Sequence, residues 1–140
     1  EYLKIPGGGS LHPASHETVD QHLHYITQDG KVVFKSAVKG MADISEEILI
    51  KNNVKSSSID LYVPHQANKR IIDSAAQRCG FNDDQVYINI DRYGNTTAGT
   101  IPICLDEAVE LGRINEGSLI LLAAFGAGFT WGSMLIRWGK

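Results

Sequence analysis

The sequence predicts an α/β domain in which a mostly parallel five-stranded sheet, with one antiparallel strand, carries helices on both faces. Short apolar runs of strand length occur at 59–63, 86–90 and 119–125, and amphipathic helical patterns lie between them. The run at 119–125 is continuously apolar, which is typical of a strand buried on both faces. Helices above and below the sheet are therefore expected.

Taken in order, the chain divides at about residue 22. Residues 1–22 are rich in Gly, Pro, Ser and His, and we expect them to form a loop or linker segment before a domain at 23–140. The expected elements are a strand at 23–27, helix at 32–51, strand at 59–63, helix at 68–79, strand at 86–90, helix at 97–111, and strands at 119–125 and 130–138. The turn between the last two strands is so short that they should pair antiparallel.

Composition narrows the function classes. The 140 residues are 43% apolar and carry a net charge of −3, so no overall attraction to nucleic acid or to an anionic membrane is expected. No secretory signal and no long apolar span is evident, which favours a cytoplasmic protein. Cys79 and Cys104 lie on apolar faces of predicted helices, so buried reduced thiols are expected.

The amino-terminal histidines at 12, 16, 22 and 24 have spacings that metal sites also use. Pro13 disfavours the helix that would align the first pair, and no Cys or carboxylate set accompanies them. We predict no metal site.

Two polar side chains stand where open α/β sheets place their chemistry. His65 follows the predicted strand at 59–63, and Asn95 follows the one at 86–90. Ligands bind at the carboxyl ends of parallel strands, so both side chains should lie at one sheet edge. An imidazole and a carboxamide can both donate hydrogen bonds to one oxygen. Taken singly, each also fits a structural role, as a strand-end histidine and as a turn residue beside Gly94.

Three motifs carry a family resemblance. V-P-H-Q-A-N at 63–68, Y-G-N-T-T at 93–97 and F-G-A-G-F-T-W-G at 125–132 resemble the carboxyl-terminal half of β-ketoacyl-acyl carrier protein synthase III, a condensing enzyme of the thiolase fold. The likeness runs from about residue 23 to the end. It implies one half of a two-half thiolase-like fold, and a homodimer for the full enzyme.

The resemblance also implies a reaction. An acyl-CoA loads a nucleophilic cysteine, and malonyl-acyl carrier protein then loses carbon dioxide and attacks the acyl-enzyme. His65 and Asn95 would stabilise the enolate that decarboxylation creates, and the Gly126 N–H would face the acyl-enzyme carbonyl. The CoA thioesters are substrates, and no separate cofactor is implied.

The nucleophilic cysteine of the family lies in the amino-terminal half. Neither Cys79 nor Cys104 sits at a strand-to-helix turn that would present a thiolate at a helix amino terminus. We therefore expect the isolated chain to be inactive without a partner half.

The resemblance assigns binding roles to seven further positions. Four match positions that line the pantetheine channel: Gly30, Phe34, Ala67 and Asn68. Three match the basic patch that receives the acidic carrier protein: Lys35, Arg70 and Arg78. A local positive patch can steer an acidic partner even on a net-negative protein.

Other functions remain open at this point. A type III polyketide synthase-like enzyme also uses Cys, His and Asn, although the Q-A-N run at 66–68 argues against it. Thiolases and two-histidine synthases would need a second histidine where Asn95 stands. A non-catalytic module that binds CoA or carrier protein is the alternative from another class, since the nucleophile is missing from this chain.

Overall fold

A computed structural model describes residues 2–139 of the chain. Its elements confirm the α/β class and alternate along most of the sequence, with short 3₁₀ turns at Ser56–Ser58, Asp83–Gln85 and Thr97–Gly99. The helices and strands are β1 Leu3–Lys4, α1 His16–Asp20, β2 Thr27–Gln28, α2 Gly30–Lys51, β3 Leu61–Pro64, α3 Lys69–Cys79, α4 Ile90–Tyr93, α5 Thr100–Glu110, β4 Leu119–Gly126 and β5 Thr130–Arg137.

The main sheet has the strand order β3-β4-β5. Strand β3 pairs parallel with β4, with Leu61 opposite Ile120. Strand β4 pairs antiparallel with β5 along its whole length, from Leu119 opposite Arg137 to Gly126 opposite Thr130. The antiparallel final pair predicted from the short turn is confirmed.

The sheet has fewer strands than the five predicted. In the described residues, the segment 86–90 forms only an isolated parallel bridge, between Val86 and Tyr62, and Ile90 already begins α4. Its apolar residues do pack into the core, but the backbone N–H of Asn89 bonds to a side chain instead of to a neighbouring strand. Burial alone therefore produced the strand-like pattern.

The predicted strand at 23–27 is also absent from the main sheet. Thr27 and Gln28 instead pair antiparallel with Lys4 and Leu3 in a separate two-stranded ribbon. The preceding residues make turns, and the Leu23 carbonyl accepts a hydrogen bond from the Gly7 N–H. The predicted linker segment contains β1 and the five-residue α1, and its boundary at residue 22 stays a prediction.

Helices cover both faces of the sheet, as expected. Successive strand residues point to opposite sides, so Tyr62 packs into the core cluster formed with α2 and α3, whereas Leu61 and Val63 pack into the one formed with α5. The α2–α3 side is the larger. Both clusters meet β4, which explains its continuous apolar sequence.

The ends of α2 and α3 follow from capping. Asp29 Oδ1 accepts hydrogen bonds from the first N–H groups of α2, which starts the helix two residues before the predicted position. Asn68 caps α3 in the same way, and Gly80 ends it with φ 74°, a left-handed conformation that glycine adopts at no steric cost. No helix of residues 2–139 is long and apolar enough to cross a membrane.

Candidate active site

His65 is held at the carboxyl end of β3. Its backbone N–H donates to the Ala123 carbonyl at 2.8 Å, which extends the pairing of β3 with β4 by one residue. The ring is half-buried, and its Nδ1 lies 2.6 Å from the hydroxyl oxygen of Thr100, the first residue of α5. The imidazole is therefore anchored on its buried side, and its Nε2 edge is left for the solvent-accessible side.

Asn95 lies in the exposed loop between α4 and α5. Its Oδ1 accepts a hydrogen bond from the Thr97 N–H at 2.9 Å, in a turn where Thr97 has the left-handed φ of 54°. Amide oxygen and nitrogen are assigned from such networks, and here the backbone donor fixes the oxygen. The Nδ2 group, with two protons to donate, makes no hydrogen bond within residues 2–139.

The three predicted catalytic residues line one open cleft of about 520 Å³. His65 and Asn95 enter it from the two loops that follow β3 and α4, and Gly126 enters from the end of β4. A Cβ placed on Gly126 would meet no atom within 4 Å, so a ligand can approach its backbone closely. Phe125 and Trp131 form an apolar wall, with parallel rings 6.4 Å apart.

Burial lowers the pKa of His65 below its ordinary value of 6.5. The charged imidazolium is disfavoured because its environment solvates it less well than water does. At neutral pH the ring is therefore uncharged and carries a single N–H. Which nitrogen holds that proton depends on Thr100.

A fully buried amide joins the two loops that carry His65 and Asn95. Gln66 donates to the Pro64 carbonyl at 2.8 Å and to the Tyr87 carbonyl at 3.2 Å, and it accepts from the Asn89 N–H at 3.1 Å. Every polar atom of the side chain is satisfied, as burial requires. Gln66 thus fixes the distance between the His65 loop and the segment that leads to Asn95.

Glu107 on α5 holds the same segment from the other side. Its carboxylate accepts from the Asn89 amide at 2.7 Å, the Arg92 guanidinium at 2.8 Å and the Tyr93 hydroxyl at 2.8 Å. The hydrogen bond from Asn89, with that from Tyr93, lowers the pKa of Glu107. Together these contacts fasten α4, two residues before Asn95, onto α5.

The predicted pantetheine-binding positions do not all come together. Ala67 and Asn68, two and three residues after His65, are exposed. Phe34 on α2 lies under the Arg70 guanidinium, whose carbon is 5.2 Å from the centroid of the Phe34 ring. Asn68 Oδ1 is used to cap α3 by accepting from the Arg70 N–H, so its Nδ2 is the group left to bind a ligand. Gly30 begins α2 and lines a separate hollow beside Tyr2.

The three residues of the predicted basic patch differ in whether their charge is already paired. Lys35 and Arg70 are exposed near the start of α2 and α3. Arg78, in the last turn of α3, is instead paired with Asp43 at 2.5 Å and Glu46 at 3.0 Å on α2. These bonds raise the pKa of Arg78 and cancel its local charge. Arg70 is thus a better candidate than Arg78 for contact with an acidic partner.

Both cysteines are buried, unpaired with each other and outside the cleft. Burial raises the pKa of Cys79 to about 11 and that of Cys104 to about 12. A thiol with such a pKa stays protonated near neutral pH and is a poor nucleophile. Within residues 2–139 no group of three His, Cys, Asp or Glu side chains is placed to hold a metal ion.

Sequence reasoning missed Thr100 and Gln66. Gln66 belongs to the motif at 63–68, and its position beside His65 was a usable signal for a structural role. Thr100 carried no such signal, because its contact with His65 spans 35 residues of sequence and depends on how α5 docks against the sheet.

These features define a class: an α/β domain that forms half of a thiolase-like condensing-enzyme fold, with hydrogen-bond donors at one end of a mixed sheet. A sequence profile described as 3-Oxoacyl-[acyl-carrier-protein (ACP)] synthase III C terminal matches residues 49–138. The chain belongs to this family, as the carboxyl-terminal half of the enzyme.

Individual relatives support the same family assignment. The Beta-ketoacyl-[acyl-carrier-protein] synthase III of Chlorobaculum tepidum is 60% identical over 138 residues, which cover 99% of this chain and 42% of that protein. The crystal structure of the Pseudomonas aeruginosa PAO1 synthase III matches with a TM-score of 0.87 at 34% identity, over 100% of this chain and 42% of that one.

The Aquifex aeolicus VF5 structure of the same name matches with a TM-score of 0.80 at 43% identity, over 82% and 37% of the two chains. The chain thus spans less than half the length of the relatives that it matches. The names of these relatives do not favour the polyketide synthase-like or the non-catalytic alternative.

Proposed function

We propose that this chain supplies the decarboxylation half of a synthase III active site, which condenses an acyl-CoA with malonyl-acyl carrier protein to start fatty acid synthesis. The observation that carries the proposal is the single cleft lined by His65, Asn95 and Gly126. The relatives' names supply the reaction class: a β-ketoacyl synthase that uses acyl carrier protein.

In the proposed step, the bond between the malonyl carboxylate and its α-carbon breaks and carbon dioxide leaves. The electron pair passes to the thioester as an enolate, with negative charge on the thioester oxygen. His65 Nε2 and Asn95 Nδ2 donate to that oxygen. Preorganised donors aimed at developing charge are among the largest contributions to catalysis.

The anchoring of both side chains supports these roles. The Asn95 Oδ1 is hydrogen-bonded to the Thr97 N–H, and the His65 Nδ1 is hydrogen-bonded to the Thr100 hydroxyl. Asn95 Nδ2 and His65 Nε2 are therefore the groups that can bind a ligand in the cleft. The Gly126 N–H, on the third side, would receive the acyl-enzyme carbonyl. The carbanion then attacks that carbonyl, and the cysteine sulfur leaves.

The nucleophilic cysteine belongs, in this proposal, to an amino-terminal half. Cys79 and Cys104 are unsuited to the role because they are buried and protonated. We therefore expect the isolated chain to be inactive. Trp131 and Met134, on opposite faces of the edge strand β5, are 52% and 56% exposed. This supports a partner surface along the edge strand, and we expect the full enzyme to be a homodimer.

We also propose that the pantetheine arm of the substrate binds beside the start of α3. Asn68 Nδ2, beside Ala67, would bond a pantetheine amide, with Phe34 and Gly30 along the outer channel. Arg70, Lys35 and Arg78 would face the acidic carrier protein, with Arg78 the weakest of the three. We place the reaction in the cytoplasm, where the unpaired thiols of Cys79 and Cys104 would remain reduced.

The test uses the complete synthase, meaning this chain together with its amino-terminal half. His65→Ala and Asn95→Ala should each lower malonyl decarboxylation by about 100-fold or more, whereas acyl transfer from CoA to the cysteine should largely survive. His12→Ala, at an exposed loop histidine, is the control. Equal loss of both half-reactions, or full decarboxylation in both variants, would refute the assignment.

A further inference from the structure

We propose that the Thr100 hydroxyl is a positioning group that sets the tautomer of His65, by donating to Nδ1 and so keeping the ring proton on Nε2, which faces the cleft. This inference rests on the proposed function, in which Nε2 must be a donor. It assigns a role to a residue that the reaction scheme above does not use. The observation that carries it is the 2.6 Å contact between the half-buried His65 ring and the buried Thr100 hydroxyl.

The Thr100 hydroxyl can donate only one hydrogen bond, although two acceptors lie within its reach. Thr100 Oγ1 lies 2.6 Å from His65 Nδ1 and 3.2 Å from the Thr97 carbonyl oxygen. The hydroxyl has one proton, and a neutral imidazole has one N–H. Thr100 is only 2% exposed, so bulk water does not compete for these bonds.

Two proton placements are possible. In the first, the hydroxyl donates to Nδ1, and the ring proton sits on Nε2. In the second, Nδ1–H donates to Oγ1, the hydroxyl donates to the Thr97 carbonyl, and Nε2 presents a lone pair to the cleft. Only the first lets His65 stabilise an oxyanion; in the second, the lone pair would repel it.

The two distances select the first placement. Of the two acceptors open to the Thr100 hydroxyl, His65 Nδ1 at 2.6 Å is much nearer than the Thr97 carbonyl oxygen at 3.2 Å. A hydroxyl that donates to a carbonyl oxygen normally lies about 2.5–3.0 Å from it. The 3.2 Å contact to the Thr97 carbonyl is longer than a hydroxyl donor normally makes. The proton of Thr100 therefore points at His65.

The position of Thr100 makes this preference persistent. As the first residue of α5 it is held by a helix that packs against β3 through Cys104 and Ala108. Because the β3–β4 pairing fixes the His65 backbone, neither partner can drift without disturbing the core. The neutral state, which burial of His65 favours, is the only one in which the choice of tautomer matters.

The direct test is ¹⁵N NMR of the His65 ring in the complete synthase, at a pH well above the His65 pKa. The expected result is a protonated, pyrrole-type Nε2 and an unprotonated, pyridine-type Nδ1. Thr100→Val preserves the shape but removes the donor, and it should give a mixture of tautomers. Thr100→Ser keeps the donor and should retain the wild-type pattern. A wild-type ring protonated on Nδ1 would overturn the proposal.

Kinetics give a second readout. Thr100→Val should lower kcat for malonyl decarboxylation by roughly tenfold, about the worth of one neutral hydrogen bond, with KM nearly unchanged, and Thr100→Ser should restore it. Equal kcat in Thr100→Val and wild type would contradict the positioning role. If Thr100→Val fails to fold, the wild-type and Thr100→Ser spectra still decide the tautomer.

The two proposals can fail separately. A donor tautomer by NMR, combined with full decarboxylation in His65→Ala, would retain the role of Thr100 and remove that of His65. Loss of decarboxylation in His65→Ala, combined with an Nε2-protonated ring in both wild type and Thr100→Val, would retain the role of His65 and remove that of Thr100.

Discussion

Gln66 Oε1 accepts a hydrogen bond from the Asn89 backbone N–H at 3.1 Å, at a point where neither residue meets solvent. This bond stands where a fourth strand would have placed a ladder hydrogen bond. It joins the segment after β3 to the segment before α4. The loops that line the cleft are therefore held together by a side chain instead of by continuous strand pairing.

Gln66→Ala should destabilise the protein by about 3 kcal/mol, since it leaves three buried backbone groups unsatisfied and opens a cavity. The midpoint of chemical denaturation of the complete synthase measures this loss. Gln77→Ala, at an exposed position on α3, is the matched control and should leave the midpoint unchanged. Similar midpoints for the two variants would show that the Gln66 bonds contribute little.

Asn95→Asp should abolish most malonyl decarboxylation while preserving the loop. An aspartate oxygen can still accept from the Thr97 N–H, but the side chain can no longer donate and its charge repels an enolate. We expect a loss of about 100-fold or more, as for other removed oxyanion donors. Decarboxylation and acyl loading are assayed separately, and a variant that decarboxylates normally would exclude Asn95 as the donor.

The pKa of His65 predicts a specific loss of stability with falling pH. The folded pKa is depressed by burial relative to 6.5, so the unfolded chain binds a proton before the folded one does. The stabilisation that comes from keeping His65 neutral is therefore fully present above about pH 6.5. It is lost as the pH falls toward the pKa of His65 in the folded protein.

Thermal unfolding midpoints of wild type and His65→Gln, followed from above 6.5 down to about 4.5, check this prediction. Asp43 and Glu107, whose pKa values are lowered from 3.8 and 4.5, also lose stabilisation toward the acid end of this interval, but they do so equally in both proteins. Wild type should lose stability relative to the variant over this interval. Parallel curves would mean that His65 titrates alike in both states.

Carrier-protein binding should depend on Arg70 more than on Arg78. Arg78→Ala removes a charge that Asp43 and Glu46 already neutralise, whereas Arg70→Ala removes an exposed cation. We expect KM for malonyl-acyl carrier protein to rise several-fold in Arg70→Ala alone, with KM for malonyl-CoA much less affected. A larger effect from Arg78→Ala would place the docking surface at the other end of α3.

Local signals in the sequence predicted several elements well. The amphipathic pattern of α3, the continuous apolar run of β4 and the short turn before β5 all act within a few residues, and the structure has each of these elements. His65, Asn95 and Gly126 were predicted to share one site, and they line one cleft. Their catalytic roles stay proposals.

The failures have a common physical cause. Residues 86–90 are apolar because they cover the core, and the hydrogen bonds that replace a strand ladder come from Gln66, twenty or more residues earlier. The pairing of Arg78 with Asp43 and the contact of Thr100 with His65 likewise depend on how helices dock. No pattern local to those residues contains that information.

One strand, β4, connects His65 and Gly126, two of the groups proposed to bind oxygen. Its Ala123 carbonyl receives the His65 backbone N–H, and Gly126 follows three residues later. Because both groups are tied to this one strand, a substitution that displaced β4 would move them together. Such a change would alter both proposed oxygen sites at once, although it touched neither His65 nor Gly126.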